Sequence, residues 1–555
     1  MAQYLQKYKR WLSLVKDESL LKELKDIEGN AEEIENRFYK DLEFGTGGLR
    51  GVLGAGSNYL NIYTIIKATQ GLALYLKSIG GTSACIGYDS RINSLLFART
   101  AAAVLAHNGI KAYICKELMP TPFLSYAVRK YRADAGVMVT ASHNPAKYNG
   151  YKVYGSDGCQ MTDAFADKVI GFISGVDPFA VQLKEFEHYL NVGGIEYMTD
   201  KIESDYVSKV IGQSGGNLGG ISIVYSPLNG TGYRIVPEVL RRCGAEQLSI
   251  VKEQAQPDGR FPTCPYPNPE KIEALRLGLK KAADTCADIL LATDPDADRV
   301  GIAVREESGD YTLISGNEAG VLLTDYLLAR KAREGSLDKR PVVIKTIVTS
   351  SLADKVATQY GAEVRDVLTG FKYIGEMIGE LEKAGEEQRF VLGFEESYGY
   401  LAGSYVRDKD AVVASLLLCE MTAHYKKQGK TLTNRLEEIY AKFGRYSHKT
   451  LAEEFPGASG NKKMQELLNS LRSATLKDIG GLKVLSCTDY LDGDTGLPKA
   501  DVISYKLEGG AQLIVRPSGT EPLIKFYLTA ALDEKQNAAV FAALEGFINS
   551  FFGKC

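Results

Sequence analysis

The sequence predicts an α/β fold with three similar mixed-sheet domains in series and a smaller α+β domain after them, all around one central cleft. Three observations support this prediction. The 555 residues are too many for one hydrophobic core, so several domains are expected. A strand–loop–helix–strand order recurs at 83–114, 221–250 and 342–368, with the spacing of whole domains. From about residue 446 this order gives way to short strands separated by glycine-containing turns.

Each of the three repeats has a glycine directly after its predicted helix. Gly109, Gly244 and Gly361 occupy this position, where glycine supplies the left-handed residue that ends a helix. Apolar strands that alternate with helices are typical of βαβ units, in which the strands run mostly parallel. The repeats therefore predict three sheets with helices packed against them.

The last part of the chain has a different pattern. Consecutive short strands joined by tight turns form antiparallel sheets, and a following helix covers one face. Such strands are predicted at 481–487, 501–507, 511–517 and 523–528, with a helix at 534–552. Together with the repeats, this pattern predicts four domains, at 1–205, 206–312, 313–440 and 441–555.

Composition excludes several functional classes. The formal net charge is −3, from 66 basic and 69 acidic residues, so no basic excess points to nucleic acid. The nine cysteines are scattered without C-x-x-C spacing, which predicts reduced thiols and a cytoplasmic location. Residues 1–26 predict a charged amphipathic helix rather than a signal peptide, and no run of about 18 apolar residues predicts a membrane span.

Four loops carry residue types suited to catalysis, and each follows a predicted strand. In the first, the serine loop "TASHNP" at 140–145, Ser142 and His143 follow an apolar strand, and Lys152 lies a little further on. A hydroxyl at a strand end is exposed and rigidly backed, as a group-accepting nucleophile needs to be. Serine, asparagine and proline also form ordinary turns, and the loop lacks the G-x-S-x-G elbow of hydrolases.

The second loop, the metal loop "DPDADR" at 294–299, places three carboxylates after an apolar strand. Asp294, Asp296 and Asp298 would repel one another unless a hard cation lay among them, and oxygen ligands favour Mg²⁺ or Ca²⁺. An EF-hand is excluded because Arg299 and Arg305 stand where that motif needs Gly and Glu. A solvated acidic turn is the alternative interpretation.

The third loop, the sugar loop "FEES" at 394–397, contains Glu395 and Ser397 beside glycine-rich turns. A carboxylate held in this way can accept hydrogen bonds from two sugar hydroxyls. Glutamates in loops are mostly structural, so this pattern alone is a weak indication. It gains weight only if the loop reaches the same cleft as the others.

The fourth loop, "RPSGTEP" at 516–522, offers the donors that phosphate needs. An arginine fork, hydroxyls and a backbone nest together form an anion site, although an ordinary hairpin has similar residues. We call Arg516, Ser518, Gly519 and Thr520 the phosphate clamp. Because ligands bind beyond the carboxyl ends of strands in α/β sheets, the four loops are predicted to converge on one cleft.

Together these loops resemble those of the α-D-phosphohexomutase superfamily, which includes the phosphoglucomutases and phosphomannomutases. The resemblance spans nearly the whole chain, with the motifs in family order. The stretches "FGTGGLRG" (44–51), "PLNGTG" (227–232) and "TGFKYIG" (369–375) are similar to further family motifs. Chain length and "GFEESYGY" (393–400) resemble most the branch of bacterial phosphoglucomutases and phosphopentomutase-like enzymes.

The resemblance implies an isomerase that interconverts glucose 1-phosphate and glucose 6-phosphate through a phosphoserine and a sugar bisphosphate. It implies Mg²⁺ as the cofactor, glucose 1,6-bisphosphate as an activator, and a phosphosugar as the only partner of a monomer or dimer. Mannose 1-phosphate or a pentose 1-phosphate stays an alternative substrate, because one or two contacts to sugar hydroxyls decide the choice.

The resemblance also implies a role for each motif residue. Ser142 is expected to carry the phosphoryl group and to share Mg²⁺ with Asp294, Asp296 and Asp298. The residues expected at the reacting centre are Ser142, His143, Arg50, Arg299 and Lys152, the last as general acid or base. Those expected to bind the sugar and its second phosphate are Thr369, Gly370, Glu395, Ser397, Arg516, Ser518, Gly519 and Thr520.

Two residues depart from the family pattern. Lys525 lies near a position where relatives commonly carry arginine, and its role stays open because lysine is a point charge without a planar fork. Arg91 lies in "GYDSR" (87–91), where tyrosine precedes the aspartate in place of a charged residue. We expect Arg91 to pair with a nearby carboxylate.

Two functions from other classes are weighed against the mutase. A phosphatase with an aspartyl nucleophile would use Asp294 in that role, but it would leave "TASHNP" and "RPSGTEP" unexplained. A catalytically silent phosphosugar-binding protein would bind hexose phosphate without interconverting isomers. The presence of every chemically needed residue argues against the silent protein.

Overall fold

The computed structural model describes residues 2–45, 47–455, 457–518 and 523–553. Its strands form four sheets that follow one another along the chain. The three predicted βαβ repeats are present as parallel strand pairs, and Gly109, Gly244 and Gly361 all have positive φ after their helices. The predicted fold class is confirmed, whereas the limits at 205, 312 and 440 stay predictions.

Three helices precede the first sheet: α1 (Gln3–Leu14), α2 (Glu18–Asp26) and α3 (Ala31–Phe38). The single helix expected over 1–26 is therefore wrong. The chain leaves the first helix at Val15, and the Asp17 carboxylate accepts a 2.9 Å hydrogen bond from the Leu20 amide, which begins the second. Trp11, Phe38 and Tyr63 join in an apolar cluster that anchors these helices to the first domain.

The first domain has a six-stranded mixed sheet. Its strands are β1 (Leu49–Val52), β2 (Ser83–Tyr88), β3 (Lys111–Ile114), β4 (Ala135–Val139), β5 (Tyr148–Gly155) and β6 (Ile195–Tyr197). Its helices are α4 (Ile62–Ser78), α5 (Ser94–His107), α6 (Thr121–Tyr131), α7 (Asp163–Ser174), α8 (Phe186–Asn191) and α9 (Asp200–Ile211). The strand order is β1-β5-β4-β2-β3-β6, and the serine loop connects β4 to its antiparallel neighbour β5.

The second domain repeats this arrangement with five strands. They are β7 (Ser222–Ser226), β8 (Gln247–Ile250), β9 (Ile289–Thr293), β10 (Val300–Arg305) and β11 (Tyr311–Ile314), with helices α10 (Gly232–Arg242) and α11 (Ile272–Thr285). The strand order is β11-β10-β9-β7-β8. The metal loop connects β9, which runs parallel to β7, to its antiparallel neighbour β10.

The third domain has four strands: β12 (Val342–Thr346), β13 (Glu363–Val367), β14 (Phe390–Glu395) and β15 (Gly399–Leu401). Its helices are α12 (Gly316–Arg333), α13 (Leu352–Thr358), α14 (Phe371–Lys383), α15 (Ala411–Lys426) and α16 (Leu432–Phe443). The strand order is β13-β12-β14-β15, and the sugar loop connects β14 to antiparallel β15. In each of the three domains, the loop therefore connects a strand of the parallel part of the sheet to the antiparallel strand that follows it.

The fourth domain has an antiparallel sheet in the order β16-β21-β20-β19-β18-β17. Its strands are β16 (Ser447–Glu454), β17 (Asp478–Ile479), β18 (Leu482–Asp489), β19 (Ile503–Leu507), β20 (Gln512–Pro517) and β21 (Leu523–Ala530), with helices α17 (Gly457–Ser473) and α18 (Glu534–Phe552). The four predicted strands and the last helix are present. The sequence did not predict β16, an edge strand whose residues are mostly polar and none of which is fully buried.

The hydrophobic cores explain how the domains are held together. One continuous apolar cluster runs from Phe44 to Tyr440 and joins the first three domains, whereas a separate cluster from Phe455 to Phe552 fills the fourth. A small third cluster lies between the fourth domain and Val348 of the third. Within the described parts of the chain, no helix has the length and apolar character needed to cross a membrane.

Candidate active site

The serine loop is held in an uncommon backbone conformation. Ser142 has a φ of 51°, in the left-handed region, and its amide donates a 2.8 Å hydrogen bond to Thr140 Oγ1. The Ser142 side chain is buried, and its Oγ donates a 2.8 Å hydrogen bond to Asp294 Oδ2 in the metal loop. His143 Nδ1 lies 3.2 Å from the same hydroxyl. Two of the predicted loops therefore meet at the hydroxyl of Ser142.

Arg91 holds the serine loop from beneath. Its guanidinium donates 3.0 Å hydrogen bonds to the carbonyls of Pro145 and Tyr148, a 2.5 Å bond to the carbonyl of Ser142 and one to that of Asn144. The expected carboxylate partner of Arg91 is Asp89, whose oxygen lies 3.4 Å from Arg91 Nε. One buried guanidinium that binds four carbonyls of this segment holds the path of the loop, because its planar donors have fixed directions.

The metal loop brings three buried carboxylates together. Oxygens of Asp294, Asp296 and Asp298 lie within 4.8 Å of one another. The Oδ1 atoms of Asp296 and Asp298 are buried and have no hydrogen-bond partner. Unpaired, converging carboxylate oxygens are the donor set that Mg²⁺ prefers, so these residues fit the predicted ion.

Local charges distinguish the three aspartates. Burial raises the pKa of Asp294 well above its ordinary value, and the charges of Asp296 and Asp298 raise it further. Burial would also raise the pKa of Asp298, but the ammonium groups of Lys409 and Lys152 outweigh it and lower that pKa. Fixed cations therefore compensate part of the negative charge of the buried carboxylate cluster.

Two buried lysines supply that compensation. Lys152 Nζ lies 2.9 Å from Asp296 Oδ2 and 3.3 Å from Asp298 Oδ2. Lys409 Nζ lies 3.2 Å from Asp298 Oδ2 and 3.3 Å from Asp408 Oδ1. Lys152 was predicted, whereas Lys409 was missed. The charged run "RDKD" (407–410) between apolar residues was the available signal, since buried charges need partners.

Arg299 connects the metal loop to the sugar loop. Its guanidinium donates a 3.1 Å hydrogen bond to Glu270 Oε1 and a 3.2 Å bond to the Ser397 carbonyl. Burial would lower the pKa of Arg299, but Glu395 and Asp298 raise it, so the group is a fixed cation. Within the sugar loop, Ser397 Oγ donates a 2.9 Å hydrogen bond to Glu395 Oε1. Glu270 was not predicted.

Arg50 approaches from the opposite side. It lies on β1, paired with Gly150 of β5, and its guanidinium donates a 3.3 Å hydrogen bond to Asn144 Oδ1 in the serine loop. Of the predicted loop at 44–51, Thr46 lies outside the described residues. Arg50 thus contacts the serine loop through Asn144, and its role at the reacting centre stays a prediction.

The remaining predicted residues lie on the third and fourth domains. Thr369 and Gly370 precede α14, and the Thr369 hydroxyl is buried without a partner. Arg516 is the last residue but one of β20, opposite Lys525 of β21, and its charge partly opposes the raised pKa of the nearby Tyr527 hydroxyl. The Ser518 amide donates a 2.8 Å hydrogen bond to the Leu523 carbonyl. Gly519 and Thr520 lie outside the described residues.

Known protein families share this arrangement. Models of the phosphoglucomutase/phosphomannomutase α/β/α domains I, II and III match residues 41–177, 199–309 and 315–443, and the C-terminal domain model matches 462–546. The chain belongs to this family. Membership confirms the predicted family and the predicted class of enzyme, a mutase that acts as an isomerase.

Individual relatives match this chain over more than nine tenths of its length. A phosphoglucomutase of Staphylococcus saprophyticus is 36% identical over 539 residues, which cover 94% of this chain and 96% of the relative. A solved phosphoglucomutase/phosphomannomutase family protein of Burkholderia thailandensis is 18% identical, covers 92% and 98% of the two chains and has a TM-score of 0.69. The N-acetylphosphoglucosamine mutase of Aspergillus fumigatus, solved with GlcNAc-6P and magnesium, is 14% identical, covers 99% of each chain and has a TM-score of 0.53.

Proposed function

We propose that this chain interconverts glucose 1-phosphate and glucose 6-phosphate through a phosphorylated Ser142 and a glucose 1,6-bisphosphate intermediate. The observation that carries the proposal is the 2.8 Å hydrogen bond from Ser142 Oγ to Asp294, which places a hydroxyl on the edge of a carboxylate cluster. The name of the Staphylococcus saprophyticus relative supports glucose as the sugar. Mannose 1-phosphate and pentose 1-phosphates are the alternative substrates for the same site.

Asp294, Asp296 and Asp298 would hold Mg²⁺, with an oxygen on Ser142 as a further ligand. The Aspergillus fumigatus mutase was solved with magnesium, which supports this choice of ion. When bound, Mg²⁺ supplies positive charge that neutralises phosphoryl oxygens and makes phosphorus easier to attack. Everything else in the mechanism falls to side chains of the chain itself.

In the first half-reaction, the P–O bond to Ser142 Oγ breaks as a free sugar hydroxyl forms a bond to phosphorus. Charge builds on the departing and equatorial oxygens, and the fixed cations Lys152 and Arg299 neutralise it. The hydroxyl proton must leave and the serine oxygen must gain one. His143 Nδ1, 3.2 Å from Ser142 Oγ, is available to accept a proton, and the Lys152 ammonium is available to donate one.

In the second half-reaction, the bisphosphate turns round and returns its other phosphate to Ser142. Glu395 and Ser397 would accept and donate hydrogen bonds to sugar hydroxyls, and Arg516 would hold the phosphate that does not react. Glucose 1,6-bisphosphate from solution would also phosphorylate an enzyme that has lost its phosphoryl group. Water must stay out while the intermediate turns, because water competes for the same phosphoryl group.

The cysteines support a cytoplasmic location for the protein. The described cysteines are all free thiols, including the exposed Cys286 and Cys487, as expected in a reducing compartment. We infer a cytoplasmic enzyme whose partner is a small phosphosugar and which works as a monomer or dimer.

A substrate panel tests the proposal. Purified protein with Mg²⁺ and a trace of glucose 1,6-bisphosphate is given glucose, mannose or pentose 1-phosphates, and isomer formation and inorganic phosphate are followed separately. We expect conversion of glucose 1-phosphate without matching phosphate release. Phosphate released at the turnover rate would instead identify a phosphatase with Asp294 as nucleophile, and binding without either product would identify a silent phosphosugar-binding protein.

A further inference from the structure

We propose that Tyr527 and Glu396 are positioning residues that set the distance between Arg516 and the sugar loop, through the segment at residues 346–350. We call this segment the joint. The inference rests on the proposed function, because it concerns how the two ends of one phosphosugar are held. Tyr527 and Glu396 belong neither to the reacting centre nor to the carboxylate cluster.

Arg516 and Tyr527 lie on the same face of the fourth sheet. Strand register pairs Ile514 with Tyr527 and Arg516 with Lys525, so these four side chains share one face of the sheet. The alternate residues of the same strands, Leu513, Val515, Phe526 and Leu528, lie in the core of the fourth domain. The face that carries Arg516 is thus the one turned away from that core.

This face of the fourth sheet packs against the third domain. Tyr527 and Ile514 are buried in a small apolar cluster with Val502 of the same domain and Val348 of the third domain. The two large cores of the molecule do not merge, so this cluster joins domains that otherwise keep separate interiors. The joint therefore contacts the clamp face directly, through Val348.

Hydrogen bonds connect the joint to the sugar loop. Thr346 Oγ1 and Thr349 Oγ1 lie 2.6 Å apart, and they donate hydrogen bonds of 3.2 and 3.4 Å to Glu396 Oε2. The Thr349 amide also donates to the Thr346 carbonyl at 3.0 Å, which closes a tight turn around Val348. Glu396 stands between Glu395 and Ser397, the residues expected to contact sugar hydroxyls.

Electrostatics support the same connection. Burial raises the pKa of Tyr527, the charge of Glu396 raises it further, and the charge of Arg516 opposes both. Burial and the neighbouring charge of Glu395 raise the pKa of Glu396 to about 7. The charges of Glu396 and Arg516 thus both act on Tyr527, in agreement with the packing of Tyr527 against Val348 of the joint.

The consequence concerns the bisphosphate. The sugar must turn end for end without leaving, so the clamp must release one phosphate and capture the other at the same distance from the sugar loop. A fixed Val348–Tyr527 contact restores that distance each time. A looser joint would let Arg516 rest at several distances, and more of the intermediate would escape into solution before its second transfer.

The test uses the full-length enzyme with three variants and a matched control. Tyr527→Phe removes only the hydroxyl on the sheet face that carries Arg516, Val348→Ala reduces the apolar cluster, and Glu396→Gln changes the acceptor of the two threonines. Tyr505→Phe is the control, because Tyr505 is a buried tyrosine of the same domain that bonds the Leu471 carbonyl within the domain core. Steady-state constants and the glucose 1,6-bisphosphate released per turnover are measured for each.

We expect Tyr527→Phe and Val348→Ala to raise KM for glucose 1-phosphate about three- to thirtyfold, with a smaller fall in kcat and more released bisphosphate. Combining Tyr527→Phe with Glu396→Gln should change KM by less than the product of the single effects, because both act on one link. Tyr505→Phe should match the wild type in each respect.

Two results would overturn the inference. One is a folded Tyr527→Phe and a folded Val348→Ala that keep the wild-type KM and bisphosphate release. The other is a drop in melting temperature alone, which would mark the contact as merely structural. A wild-type enzyme without mutase activity would instead sink the proposed function, so the two failures are distinguishable.

Discussion

Ser142 Oγ lies 2.8 Å from Asp294 Oδ2 although 152 positions separate the two residues in sequence. The contact is possible because each residue lies in a loop between two antiparallel strands. Ser142 lies between β4 and β5 of the first domain, and Asp294 lies between β9 and β10 of the second. Thr121 reinforces it, since its amide and hydroxyl both donate 2.8 Å hydrogen bonds to Asp296. These hydrogen bonds join the first two domains beside the hydroxyl of Ser142.

Replacing the hydroxyl is the most direct prediction. Ser142→Ala should reduce kcat by about four to six orders of magnitude, because no other group can carry the phosphoryl in its place. Incubation with glucose 1,6-bisphosphate should add one phosphoryl group to the wild type and none to the variant, as measured by intact-protein mass. Ser174→Ala, at an exposed helix end, is the control. Phosphorylation of the Ser142→Ala protein would contradict the assignment.

The carboxylate cluster predicts a strict requirement for a divalent cation. EDTA should stop turnover and added Mg²⁺ should restore it, because three buried carboxylates and a phosphate repel one another without a cation. Asp296→Asn should weaken Mg²⁺ binding, measured by titration calorimetry, by at least about tenfold. Asp310→Asn, at an exposed turn of the same domain, is the control. Full activity in EDTA would remove the metal from the proposal.

Lys409 supplies a prediction that the sequence motifs did not. Lys409→Met leaves the buried Asp298 with one fewer cation, which should destabilise the fold by at most about 3–5 kcal/mol, because Lys152 still compensates part of the charge. Added Mg²⁺ should recover part of that loss, since it replaces the missing charge, and thermal melting with and without Mg²⁺ measures both effects. Lys426→Met, which loses an exposed ion pair with Asp288, is the control. A melting temperature that ignores Mg²⁺ would show that Lys409 does not serve the cluster.

The contrast between the predicted and the missed residues has a physical reason. Ser142, Asp294 and Glu395 lie directly after apolar strands, so their position at one sheet edge follows from local pattern. Lys409 and Glu270 lie on no such strand end, and their partners are set only when domains pack. The same holds for Arg91, whose carboxylate partner was expected but whose four carbonyl contacts depend on the path of the serine loop.

The phosphate clamp predicts an effect on binding rather than on chemistry. Arg516→Ala should raise KM for glucose 1-phosphate about 10- to 100-fold with a smaller change in kcat, because a charged hydrogen bond to a phosphate that does not react is lost. Lys525→Ala tests whether the neighbouring lysine on the same face contributes a second charge, and exposed Lys506→Ala is the control. An unchanged KM for Arg516→Ala would remove Arg516 from the site.

His448 makes the fourth domain sensitive to acid. Burial lowers the pKa of His448 to about 4, assisted by the charge of Lys345 in the third domain. Its Nδ1 lies 3.1 Å from Thr529 Oγ1, and its Nε2 is buried without a partner, so the folded protein favours the neutral ring. The unfolded chain takes up this proton near pH 6.5. Stability contributed by neutral His448 is therefore fully present above about pH 6.5 and is lost as pH falls towards about 4.

The measurement is thermal melting across that pH range. We expect His448→Asn to lose about 1–3 kcal/mol less stability than the wild type between about pH 6.5 and 4, because asparagine keeps a polar contact to Thr529 but takes up no proton. Exposed His107→Asn should follow the wild-type curve. Parallel curves for His448→Asn and the wild type would show that protonation of His448 does not contribute to the loss of stability in acid.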